Sequence, residues 1–271
     1  MPIDHPPAAG RPLQEDAVRA AVLAVVGTVS PETDLQALRA DQPLRQQIDL
    51  DSMDWLNVLA GVEERLGIAI PPDERGPLAT LDGLVACALA QPPAQRPTQP
   101  ATALPHRQFT LNGVPLTLRP MRKEDAELEK EFVAHLSSEA RYKRFMVSLS
   151  ELPASKLRYL TEVDQQRHVA LVAQFERDGR PALAGAARYV LDPAGTSCEF
   201  AVAVGDAWQR TGLAGLLMQA LIDLARARGI ARMEGLVLAT NTRMLKLARQ
   251  LGFRVEHEPG DYSAVRVARA L

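Results

Sequence analysis

Apolar and polar positions divide the chain into segments of two periodicities. Val18, Ala21, Val22, Val25 and Val26 fall on one side of a helix predicted over Leu13 to Val29. A second helix is predicted from Ser52 to near Gly67, with apolar Met53, Leu56, Leu59, Ala60, Val62 and Leu66, and a third over Leu81 to Ala90 behind a Thr80 cap. A long polar connection, Pro31 to Gln47, separates the first two. Beyond residue 107 the pattern changes. Phe109 to Pro120 reads as a hairpin turning at Asn112-Gly113, and Glu124 to Leu136 and Pro153 to Leu160 read as helices. Strands are predicted over His168 to Phe175, Leu183 to Val190, Cys198 to Val204, Glu234 to Ala239, Arg254 to Glu256 and Ala264 to Ala268. The longest helical pattern, Leu213, Leu216, Leu217, Ala220, Leu221, Leu224 and Ala225, follows the Cys198 strand through a polar, glycine-containing turn.

These segments predict two domains. Residues 1–90 form a small all-α helical bundle, and 108–271 form an α/β domain with a central mixed sheet. Residues 91–107 hold five prolines and no apolar period, so they form a linker. Extended as polyproline II, that linker spans roughly 50 Å at about 3.1 Å per residue. Charge divides the same way: −8 over residues 1–90, +2 over the linker and +4 over 108–271. An acidic module tied to a mildly basic one favours attraction between them. No basic tract suggests nucleic acid, and no apolar run has membrane-spanning length. Cys87 and Cys198 fit no metal spacing and are expected to be free thiols in a cytoplasmic protein.

A strand feeding a turn and a helix N-terminus leaves unpaired N–H groups converging on one spot, which suits phosphate. The turn here, Gln209-Arg210-Thr211-Gly212-Leu213-Ala214, is neither of the common nucleotide-binding loops. With VLATNTRMLKLARQLGF (237–253) behind it, it resembles the GNAT N-acetyltransferases over roughly Phe109 to Leu271. The resemblance implies acetyl-CoA as donor, with Gln209, Arg210, Thr211, Gly212, Leu213 and Ala214 at its pyrophosphate. It implies a backbone amide of the strand, near Val202, Ala203 and Val204, facing the thioester carbonyl, with Asn241 beside the donor and Glu199 as general base. The tyrosine that many of these proteins carry as general acid would fall at position 248, which is alanine here. The pieces LRPMRKEDAE, LSSEARYKRF and VDQQRHVALVA are similar to bacterial GNAT proteins that acetylate protein lysines, which implies a protein lysine or a small amine as acceptor.

From the residues alone, Glu199 reads equally as a carboxylate paired with an arginine such as Arg188, Asn241 as a helix cap, and Gly212 as a close-packing position. Tyr142 and Arg144 read as acceptor-cleft or interior residues, and His135 and His168 as solvated or structural.

The segment IDLDSMDWLNVLAGVEERLGIAIP resembles acyl carrier proteins. That resemblance covers about residues 12–90 and implies 4′-phosphopantetheine on Ser52, with Asp51 beside it and a phosphopantetheinyl transferase as partner. Asn57, where many carriers have an acidic docking residue, and the bulky Trp55 depart from the pattern. The combined expectation is an acetyl-CoA-dependent N-acetyltransferase whose carrier regulates, docks or presents an acyl group to its own or a neighbouring transferase domain. The alternatives are a transferase that loads or unloads its own carrier, and a non-catalytic acyl-CoA-sensing adaptor.

Overall fold

The computed structural model describes residues 14–30, 33–48, 50, 52–68, 70, 80–91, 102–145, 152–192, 194–256 and 263–271. Asp51 and most of the linker lie outside these residues, as do the side chains of Ser52 and Asn57. The chain divides into two compact units near Pro97.

The first unit contains α1 (Glu15–Val29), the single turn α2 (Leu44–Gln47), α3 (Ser52–Leu66) and α4 (Leu81–Ala90). α1 packs against both α3 and α4. All five predicted apolar positions of α1 are buried, as are Val58, Leu59 and Val62 of α3 and Leu81, Leu84, Val85 and Ala88 of α4. Trp55 belongs to this core at 7% exposure, which accounts for its bulk. Gly61 lets α3 approach α1: a Cβ there would lie 2.7 Å from a Val25 methyl. The polar connection is more ordered than its sequence implies. It ends in α2, and Gln47 folds back to accept from the Arg39 amide at 2.8 Å and donate to the Arg39 and Gln42 carbonyls at 3.0 Å. One side chain thus replaces a secondary-structure ladder. Thr80 caps α4 as predicted, accepting from Gly83 at 3.0 Å.

The second unit is built on eight strands: β1 (Arg107–Leu111), β2 (Val114–Pro120), β3 (His168–Arg177), β4 (Arg180–Leu191), β5 (Ser197–Val204), β6 (Arg232–Leu238), β7 (Arg254–Glu256) and β8 (Ala264–Ala270). Their order is β1-β2-β3-β4-β5-β6-β8-β7, antiparallel everywhere except between β5 and β6. A parallel pair needs a crossover, and α8 (Leu213–Ala227) supplies it. The β1–β2 turn uses Asn112 and Gly113 at φ 51° and 78°, the paired positive values that suit a tight hairpin. Asp178-Gly179 joins β3 to β4 in the same way, at φ 51° and 75°.

Alternation assigns the strand residues to two faces. One face packs Leu171, Tyr189, Cys198, Phe200 and Met233 under α8 and α9 (Thr242–Gln250). The other packs Met121, Ala170, Val172 and Ala186 under α5 (Ala126–His135), α6 (Ser138–Phe145) and α7 (Ala154–Thr161). α8 buries Met218 and Ile222 in addition to most of its predicted stripe. Leu216 does not join them and is 36% exposed, although Leu213 and Leu217 on either side of it are buried. Gly235 is a packing necessity: a Cβ there would sit 2.7 Å from the Phe200 ring, which meets Phe253 edge-on.

Candidate active site

The parallel ladder between β5 and β6 is short. It pairs Ser197 with Arg232, Cys198 with Met233 and Glu199 with Glu234, and there it ends. β5 stays paired with β4 as far as Val204, and β6 stays paired with β8 as far as Leu238. The two central strands therefore diverge into a V whose apex is Glu199 and Glu234.

Backbone direction follows from two hydrogen bonds. Gly205 N–H donates to Ala184 O at 2.9 Å, so the peptide groups of 205, 203 and 201 face β4. Ala231 N–H donates to Thr196 O at 2.9 Å, so those of 198, 200, 202 and 204 face β6. Past Glu199 there is no β6 ladder to receive them. The amides of Val202 and Val204 consequently line the open side of the V, whereas the Ala203 amide faces β4. The predicted trio thus divides, and Ala203 can offer the cleft only its surface.

The turn after β5 begins with a 3₁₀ segment, Asp206–Trp208. Arg210 and Gly212 both have positive φ, 62° and 93°. A Cβ at Gly212 would meet nothing within 4 Å, so backbone conformation rather than close packing is what calls for glycine. Thr211 ties the turn by donating to Trp208 O at 2.6 Å. The first main-chain bond of α8 runs from Leu216 to Gly212 at 3.1 Å, so the amides at Ala214 and Gly215 precede any helical acceptor. Gln209 donates to Asp206 at 2.7 Å and accepts from Arg243 at 3.0 Å. Asp206 also accepts from the amide and hydroxyl of Ser137, at 2.8 and 3.1 Å, just before α6. Asn241 caps α9, accepting from Met244 at 3.2 Å, so its side-chain oxygen already has a structural duty. Arg243 was missed by sequence reading. Its only signal was a cation two residues after the cap.

Glu199 is half-buried on the face covered by α5–α7, and α6 packs against β5. Arg188 lies on that same face and is committed elsewhere. It donates to Glu129 at 3.2 Å and to Leu160 O at 3.0 Å, and lies 3.4 Å from His168 Nε2. This cluster is a structural one. Burial pushes the Glu129 carboxyl up against the pull of Arg188, and burial with Arg188 nearby holds His168 well below the usual imidazole range. His168 is thus a buried neutral ring, stacked on Tyr159 at 4.7 Å. His135 is exposed, its Nδ1 2.7 Å from Glu131 O. Tyr142 is 46% exposed on α6, and Arg144 lies over the Phe145 ring. Ala248 is fully buried in the α9 core, so no phenol replaces the absent acid at that position. A cleft of about 500 Å³ beside α5 and the β3–β4 turn is lined by His135 and Asp206 but by none of the residues expected at the donor or as base.

Residues 131–253 match the family model of the acetyltransferase (GNAT) family, and residues 16–88 match that of the phosphopantetheine attachment site. Over 154 residues the chain is 35% identical to acetyltransferase PA5475 of Pseudomonas aeruginosa, covering 57% of this chain and 83% of that protein. Over 136 residues it is 36% identical to acetyltransferase Pat of Mycolicibacterium smegmatis, covering half of this chain and 40% of Pat. The crystal structure of the GNAT domain of S. lividans PAT aligns with a TM-score of 0.56 at 28% identity, covering 61% of this chain and 97% of that domain. The chain belongs to the GNAT family. It is an N-acetyltransferase with a phosphopantetheine-attachment domain in the same chain.

Proposed function

We propose that the second unit transfers an acetyl group from acetyl-CoA to a lysine side chain of a protein. The observation that carries this reading is the V between β5 and β6, with the Val202 and Val204 amides along one wall and Glu199 at its apex. The donor's arm would run along β5, and its pyrophosphate would sit on the amides at Gly212, Ala214 and Gly215. Gln209, Arg210, Thr211 and Leu213 would shape the turn, the Leu213 amide being held by Thr211. Asn241 would contribute through its backbone and by capping α9.

A lysine amine has a solution pKa of about 10.4, so it arrives protonated. Glu199 takes that proton, directly or through a water, and the neutral nitrogen attacks the thioester carbonyl. The C–N bond forms as the carbonyl electrons move onto oxygen, where the amide of Val202 or Val204 stabilises the charge. Collapse breaks the C–S bond and expels the CoA thiolate, and the second proton shed by the attacking nitrogen ends on that thiolate or on water. A thiol pKa of about 8.5 makes that thiolate a tolerable leaving group without a positioned acid, which agrees with alanine at 248. The resemblance of LRPMRKEDAE, LSSEARYKRF and VDQQRHVALVA to GNAT proteins that acetylate protein lysines supports protein lysine as the acceptor class.

Residues 1–90 would act as the carrier, 91–107 as the linker and 108–271 as the transferase. Ser52, the first residue of α3, would carry phosphopantetheine, supported by the match over 16–88. Net charges of −8 and +4 favour docking of the carrier on a transferase domain over a second, purely external use of the arm. The test is turnover of acetyl-CoA with a lysine-containing protein, followed by thiol release and by the acceptor's mass. Thiol release without acceptor mass gain would refute lysine acetylation.

A further inference from the structure

Where the β5–β6 ladder ends, two glutamates stand side by side in register. Glu199 and Glu234 are the last registered pair. Cys198 and Phe200 on β5, and Met233 and Val237 on β6, face the α8–α9 core, so Glu199 and Glu234 both project to the opposite face. Directly registered neighbours on one face of a sheet have their Cβ atoms about 5 Å apart. Glu234 is only 7% exposed and both its oxygens are engaged. Arg266 Nη1 donates to Oε1 at 2.7 Å, and Arg232 Nε donates to Oε2 at 3.2 Å. Arg232 also reaches Glu256 at 2.8 Å. A strand residue that needed only burial would be apolar here, as Met233 is. A buried glutamate with two arginines is instead an electrostatic fixture placed against the apex of the V.

We propose that Glu234 is a positioning residue for the reaction: its clamped charge, beside Glu199, keeps Glu199 basic enough to take a proton from the acceptor amine. This rests on the reading of Glu199 as the base. Two effects act in the same direction. The Glu234 charge opposes ionisation of its neighbour, and by neutralising Arg232 and Arg266 it weakens the field that would favour that ionisation. Among the described residues, the other charges on this face come from Arg188 on β4, already bonded to Glu129 of α5, and from Arg119 on β2 with its partner Asp125. The covering helices add Lys156 and Arg158 on α7, and Glu139, Arg141, Lys143 and Arg144 on α6, with Lys143 bonded to Glu139. α8 packs on the far face and brings no charge to Glu199.

The experiment is the pH profile of kcat/KM for acetyl transfer, measured for wild type, Glu234→Gln, Arg266→Gln and Glu199→Gln, with acetyl-CoA affinity from calorimetry as a second readout. Glu234→Gln should move the acid limb to lower pH and lower the plateau severalfold, because Glu199 becomes a weaker base. Arg266→Gln should move the same limb to higher pH. Acetyl-CoA affinity should stay within about twofold in both. A merely structural role would shift neither limb, or shift both alike, and either outcome overturns the proposal. If Glu234→Gln fails to fold, the direction of the Arg266→Gln shift decides alone. Glu199→Gln should abolish the limb. If it keeps the wild-type profile, the base assignment itself is wrong, an outcome separate from the other two.

Discussion

Arg243, on the first turn of α9, donates to the side-chain carbonyl of Gln209 at 3.0 Å, bridging 34 residues to the turn that precedes α8. With Asp206 on the amide side of Gln209 at 2.7 Å, the glutamine is fixed in one orientation. The guanidinium also places a cation beside the helix N-terminus proposed for the donor's phosphates. Arg243→Met should therefore weaken acetyl-CoA binding about fivefold, for a loss of about 1 kcal/mol, with little change in kcat. Calorimetry reads this directly, and an unchanged affinity would remove Arg243 from the donor site.

Gly212 separates conformation from occupancy. Its φ of 93° strains any other residue by about 1 kcal/mol or more, yet a Cβ there has open space. Gly212→Ala should lower stability slightly and leave a folded protein. Gly212→Glu should in addition weaken acetyl-CoA at least tenfold, since bulk and negative charge both meet the phosphates. Equal affinities for the two variants would place the pyrophosphate elsewhere.

For the base, Glu199→Gln should lower kcat roughly 10²–10⁴-fold with acetyl-CoA affinity nearly unchanged. The defect should shrink as pH rises toward the amine's own pKa, because the amine then deprotonates without help. Wild-type kcat at neutral pH would exclude Glu199 from the role.

His168 predicts an acid sensitivity that has nothing to do with catalysis. Its pKa is depressed in the fold, chiefly by burial and then by Arg188 and Arg144, so the unfolded chain binds a proton first as pH falls below about 6.5. The stability that it contributes is complete above that pH and declines below it, by up to about 1.4 kcal/mol per pH unit for one proton. The buried Glu129 has the opposite sign, so the informative quantity is the difference between wild type and His168→Gln. Chemical denaturation from pH 7.5 to 5 should show the variant's stability falling less steeply. Parallel curves would mean that His168 is solvated.

Ser52 is tested by intact mass. Co-expression with a phosphopantetheinyl transferase should add the arm to wild type and not to Ser52→Ala. Acetyl groups should then appear on the arm only if the transferase uses its own carrier. Equal mass gain in both proteins would put the attachment site elsewhere.

Much of this protein was legible from residue order, because the evidence lay in local periodicity. The five-residue stripe of α1, the Thr80 cap, the Asn112-Gly113 turn and the Gln209 turn ahead of α8 all depend on neighbours within one or two turns of chain. What the sequence could not supply was the relation between strands. Whether β5 faces a partner along its whole length is decided by where β6 and β8 are pulled by their own pairing, and only that divergence turns the Val202 and Val204 amides into an open wall. The same holds for Glu199. Arg188, the arginine candidate for Glu199, receives Glu129 from α5 at 3.2 Å, and the register with β6 sets Glu234 beside Glu199. Charge pairing across a sheet depends on register and on which helix covers which face, and neither is written in local periodicity.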